Sequence, residues 1–193
     1  MKMKTSWIMG IAMATGLSAQ AEECTVTVYV HAGNAGGAML SRAKIQAAAM
    51  FREIDVEVRF RNGAVRVNDA DHACGAPIVM ELNATAPTGV SSAAMASALP
   101  YAKSGTSIHI FMDRVVDRLN PSLNAVLLAQ VLAHEITHVL EQVARHSAVG
   151  VMKAHWDRRD SEDMKSHSLP FAAIDVELIH AGTAQRTHAA VTE

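Results

Sequence analysis

Apolar residues recur along this chain with two periods, and the switches between them mark its elements. Residues 25–31, TVTVYVH, are rich in β-branched side chains and read as a strand. The AGNAGG run at 32–37 reads as a loop. Ser41 stands where an N-cap belongs, ahead of a helix carrying Ala43, Ile45, Ala47 and Phe51. Residues 56–60, VEVRF, alternate as a half-buried strand does, and Asn62-Gly63 predicts a hairpin turn into a partner through Val65 and Val67. Residues 77–82 and 107–112 are further strands, separated by small residues in which a short helix is expected over 91–99. Asn120 as N-cap and Pro121 at the first position open a long apolar helix expected to reach Ala144. Residues 157–168 are polar and expected to be exposed. A final amphipathic helix is expected over 169–180, burying Phe171, Ile174, Leu178 and Ile179, before a frayed terminus from 183. This order implies one α/β (α+β) domain, with a small mixed, twisted sheet packed on helices.

The first residues do not belong to that pattern. Lys2 and Lys4 precede an apolar run at 7–17, and Ala19-Gln20-Ala21 has the small-x-small form of a leader cleavage site. The chain therefore divides into a signal peptide at 1–21 and a domain at 22–193. Eleven apolar residues fall short of the roughly 20 that a spanning helix needs. An exported protein follows, periplasmic in a bacterium or secreted, with no membrane attachment after cleavage. Composition, 50% hydrophobic and 19% charged, excludes a disordered chain. A net charge of -2, with Lys and Arg scattered, argues against a general nucleic-acid binder. Cys24 and Cys74, two cysteines in an exported chain, suggest a disulfide. Neither belongs to a C-x-x-C pair, so redox catalysis is poorly supported.

The strongest chemical signal is His134-Glu135-Ile136-Thr137-His138 within the long apolar helix. Histidines four apart share one helical face and can bind one metal ion. Burying two imidazoles and a carboxylate among Leu128, Val131, Leu132, Val139 and Leu140 is costly unless they are used. Glu135 beside that face can take a proton from an attacking water and pass it to a leaving group. A catalytic zinc takes three protein ligands. His146, beyond the expected helix end, is the best candidate for the third. His155 and Glu162 are the alternatives. Gly150 permits a tight turn, and Met152 after it can form an apolar floor.

This order, His134-Glu135-x-x-His138, a third histidine and a turn methionine, resembles the metzincin class of zinc metallopeptidases. His146-Ser147 and Gly150-x-Met152 are most similar to its matrixin-type members. The resemblance implies a zincin-like fold, Zn2+ on His134, His138 and His146, Glu135 as general base and Met152 as the methionine of the Met-turn. It also implies that the strand at 108–112 edges the cleft and pairs with an extended peptide or protein substrate. The class places its third histidine ten residues after the first and a glycine seven after it. Here those positions hold Ala144 and Glu141, and His146 comes two residues later. Two other readings stand beside the peptidase: a non-catalytic zinc-binding interaction protein on the same fold, and a zinc hydrolase acting on a cell-wall amide.

Overall fold

The computed structural model describes residues 25–33, 37–65, 74–98, 106–117 and 121–191. The expected leader, Cys24, Val67 and Asn120 lie outside them. In chain order the elements are β1 (Thr25–His31), α1 (Gly37–Arg52), β2 (Glu57–Asn62), β3 (Ile78–Asn83), β4 (Ala96–Ala98) and β5 (Thr106–Phe111). The helices α2 (Met112–Val115), α3 (Asn124–Glu141), α4 (Arg158–Asp163) and α5 (Ala173–Val191) complete the chain. The five strands form one sheet in the order β2-β1-β3-β5-β4. Four are parallel, and only β4 runs antiparallel, against β5. The result is a zincin-like α/β domain: a small mixed sheet, a long helix and a C-terminal helix.

The sheet's inner face carries Val26, Val28, Val30, Ile78, Met80, Ile108 and Ile110, all buried in one core with α1 and α3. On α1, Leu40, Ala43, Ala47 and Phe51 face inward, while Ile45 on the other side is 73% exposed. That stripe begins at Leu40, so the helix starts at Gly37, a turn earlier than Ser41 suggested. Ser41 lies inside it, its hydroxyl donating to the Gly37 carbonyl at 3.1 Å. The outer face is mixed, with Tyr29 and Phe111 buried beside polar side chains. His109 touches Ser107 Oγ at 3.2 Å, Asn83 Oδ1 at 3.3 Å and Glu81 Oε2 at 3.4 Å.

Several expectations give way to tertiary pairing. Residues 57–62 find their partner across the α1 crossover: β2 returns parallel to β1, pairing Val26 with Val58 and Val28 with Phe60, while the expected hairpin partner through Val67 falls outside the described residues. Val65 lies in no strand and is exposed. Residues 91–98 do not form a helix. Ala96, Ser97 and Ala98 pair with Ile110, His109 and Ile108. Alanine's helical preference, a few tenths of a kcal/mol per residue, yields to strand pairing. Arg114 secures the approach to β4 by donating to the Ser91 and Ala94 carbonyls. Consequently β5 is an interior strand, and the sheet edge on that side is β4.

The C-terminal region is also more ordered than its sequence suggests. Helix α5 begins at Ala173 and continues to Val191. Arg186 donates to the Cys74 carbonyl at 3.0 Å and to that of Ala76, so the segment expected to fray holds the start of the β3 approach. In the first turn of α5, Asp175 is buried while Ile174 is exposed. The polar run at 157–168 contains α4, closed at its start by a reciprocal Asp157–Asp160 capping box.

The expected Cys24–Cys74 bridge does not stand among the described residues. The described residues contain no disulfide pair, because Cys24 lies outside them. Cys74 is buried and is not a free thiol.

Candidate metal centre

Helix α3 delivers three of the expected residues. Its first turn is preceded by a 3-10 turn at Pro121–Leu123, and it ends at Glu141, three residues short of Ala144. His134 Nδ1 lies 2.8 Å from the Val151 carbonyl oxygen, and His138 Nδ1 lies 3.3 Å from that of Val143. A carbonyl only accepts, so each Nδ1 carries the proton and each Nε2 presents a bare lone pair. Those two Nε2 atoms are 3.1 Å apart. Burial, the largest influence on both rings, lowers His138 and takes His134 down to about 4. Burial thus favours the neutral form of each ring, and the carbonyl partners leave the two Nε2 lone pairs facing each other. A cation satisfies that arrangement: nitrogens around a tetrahedral zinc at 2.0–2.1 Å stand roughly 3.3 Å apart.

The third histidine arrives by a turn. Gln142, directly after α3, has φ 53° and reverses the chain in the left-handed region. It sits eight residues after His134, one beyond the place where the metzincin class puts its glycine. His146 then stacks on His134, with ring centroids 5.3 Å apart, and meets His138 edge-on at 5.0 Å. One ligating nitrogen from each of the three rings lies within 4.8 Å of the others. Neither alternative joins them. His155 lines the same cavity but is not in the cluster. Glu162 is on α4, exposed and paired with Lys165 at 2.7 Å.

The loop carrying His146 is strongly tied down. Arg145 Nη1 donates to Asp175 Oδ1 at 2.7 Å and to both Glu141 oxygens at 3.3 and 3.2 Å, while its Nη2 reaches Ser147 Oγ at 2.9 Å. Ser147 Oγ donates to the same Asp175 oxygen at 2.5 Å. The Ser147 N–H donates to the Met152 carbonyl at 2.8 Å. Burial pushes the Glu141 carboxyl up to about 7, against the pull of Arg145.

Gly150 turns the chain into Val151 and Met152, both fully buried. It has φ 75°, and the Val151 N–H donates to the Pro170 carbonyl at 3.0 Å. A Cβ on residue 150 would collide with that Pro170 carbonyl oxygen and lie 3.2 Å from its carbon. Gly150→Ala thus combines left-handed strain with a backbone clash. The expected result is a loss of about 2–3 kcal/mol in unfolding free energy, measured by urea denaturation. A change under about 0.5 kcal/mol, the usual range of a harmless surface substitution, would show that the turn relaxes freely.

Glu135 is 7% exposed, and burial alone pushes its carboxyl up to about 8. A divalent cation beside it acts in the opposite direction. With the three histidines it lines a cavity of about 450 Å³ whose other side is formed by β4 and the segment before it. Trp156 also lines it, edge-on to His134 with centroids 5.8 Å apart. The Asp175–Arg145 cluster and the β4 edge escaped the sequence reading. Asp175 alone left a trace, as an acid in the first turn of a helix that buries it.

Fold and cluster together define a zincin-like domain with three histidines placed to hold a metal ion. No family model and no curated protein matches the chain. Among solved structures it is similar to the crystal structure of archaemetzincin from Methanopyrus kandleri, with a TM-score of 0.57 and 14% identity. The match covers 87% of this chain and 99% of that one. At that identity the likeness is one of fold. It does not extend to the matrixin type.

Proposed function

We propose that this protein is an exported zinc metallopeptidase that hydrolyses peptide bonds in an extended substrate. The observation that carries the reading is the convergence of three imidazole nitrogens beside the buried carboxyl of Glu135, at one end of a cleft bordered by an edge strand. The leader at 1–21 supports export, and the order of His146-Ser147 and Gly150-x-Met152 supports a matrixin-like arrangement.

His134, His138 and His146 would hold the zinc. When bound, zinc lowers the pKa of a water and polarises the carbonyl under attack. Glu135 accepts the proton of the attacking water and delivers it to the departing amine nitrogen. Its burial keeps that proton away from bulk solvent between the two transfers. Among the described residues β4 pairs only with β5, so its other edge is available to an extended peptide. The Val151 and Val143 carbonyls keep the His134 and His138 rings in the ligating tautomer.

Zinc per chain and cleavage of a mixed peptide library test the reading together. Wild type is expected to hold about one zinc, as one three-histidine site requires, and to cleave peptides until a chelator removes the metal. His146→Ala is expected to bind zinc more weakly by more than the roughly 10–100-fold that loss of an outer partner costs. Absence of metal after remetallation would sink the proposal. Zinc without peptide cleavage would overturn the peptidase reading, and release of fragments from purified cell wall would replace it with amide hydrolysis there.

A further inference from the structure

We infer that Asp175, in the first turn of α5, is the positioning residue for the third metal ligand, and that its clasp on Arg145 and Ser147 brings His146 to the centre from twelve residues beyond His134. The inference rests on the zinc site proposed above. His134 and His138 are each held by a backbone carbonyl, whereas the exposed His146 ring packs on those two rings and has no hydrogen bond of its own among the described residues. What is fixed is the chain on either side of it. Residues 145 and 147 both donate to one oxygen of Asp175, whose side chain is fully buried.

The second Asp175 oxygen accepts from the Ala172 N–H at 3.0 Å. Two residues earlier, the Pro170 carbonyl receives the Val151 N–H, and the Val151 carbonyl receives His134 Nδ1. The loop that carries His146 and the carbonyl that orients His134 are thus both fastened to the segment at 170–175. Arg145 extends the clasp to Glu141, the last residue of α3, where the chain leaves the helix bearing the other two histidines. Asp175 therefore sets the distance between helix end and third ligand. A longer connection would otherwise leave that distance free.

The test compares Asp175→Asn, Asp175→Ala and Ser147→Ala with Val58→Ala, a core truncation on β2 at the sheet edge opposite β4. Zinc affinity is read by competition with a chromophoric chelator, ligand geometry by the visible spectrum of the cobalt form, and stability by the thermal midpoint. Both Asp175 variants are expected to weaken zinc by about 10–100-fold and to alter the cobalt spectrum. Val58→Ala is expected to lower the midpoint while leaving zinc affinity and cobalt spectrum at wild-type values, since distant sites do not couple. Ser147→Ala, which removes one of the two donors, is expected to fall between; it and Asp175→Asn carry the test if Asp175→Ala does not fold. Unchanged zinc affinity and spectrum in the Asp175 variants, or a loss no greater than Val58→Ala shows at equal midpoint, would overturn the inference while leaving the zinc site standing. A wild type that binds no zinc would remove both.

Discussion

Glu135→Gln is expected to keep its zinc and lose its chemistry, with kcat falling by about 10²–10⁴-fold, the range of general acid–base catalysis. That corresponds to about 3–5 kcal/mol of barrier. Glutamine has nearly the same volume, so the packing around this 7%-exposed side chain survives. It retains a carbonyl oxygen that can accept a hydrogen bond from water but cannot take the proton away. No ligating nitrogen is lost, because the cluster consists of His134, His138 and His146. The measurement is kcat on a cleaved peptide beside zinc per chain. Full turnover in the variant would exclude Glu135 as the base. Joint loss of zinc and turnover would mean that the carboxylate helps to hold the ion.

Gly182→Ala is expected to be the most destabilising conservative change on α5. A Cβ at that position would collide with the Leu140 carbonyl oxygen and lie 2.8 Å from its carbon. The obstacle is backbone, so no side chain can rotate away. Leu140 lies in the last turn of α3, where carbonyls have no intrahelical donor, and glycine lets α5 approach that end closely. Separating the helices there costs about 3 kcal/mol, the upper end of ordinary overpacking. For a chain of this size that lowers the thermal midpoint by roughly 6–12 °C. Zinc affinity should fall with it, because the same contact fixes where the chain departs toward His146. A midpoint within about 2 °C of wild type, less than 1 kcal/mol on that scale, would show that α5 carries little of this load.

Much of this architecture is legible in local pattern, and its failures have a common physical origin. The β-branched run at 25–31 and the apolar strands at 78–82 and 108–111 declare themselves because both neighbours and core demand the same residues. The four-residue spacing of His134 and His138 defines a shared face whatever surrounds the helix. Ala96-Ser97-Ala98 carries no such signal: its state is decided by Ile108 and Ile110 across the ladder, and alanine fits either outcome. Asn62-Gly63 has the chemistry of a hairpin turn, yet among the described residues β2 pairs with β1, a partner more than twenty residues upstream that no local turn signal announces. The extra two residues before His146 read as uncertainty along the sequence. In space they are resolved by Gln142 adopting a left-handed turn and by Asp175, almost thirty residues downstream, holding both neighbours of the histidine.

The position of Trp156 has an optical consequence. The chain contains two tryptophans, and Trp7 falls in the segment expected to be removed on export. The processed protein would then carry a single indole fluorophore, standing edge-on against a ligating ring at 5.8 Å. Cobalt or copper at the three nitrogens would drain its excited state through their open d shells, while zinc, with a filled d shell, would leave the emission largely intact. Occupancy of the centre is thereby written into the intrinsic fluorescence, and displacement of cobalt by zinc would appear as light returning.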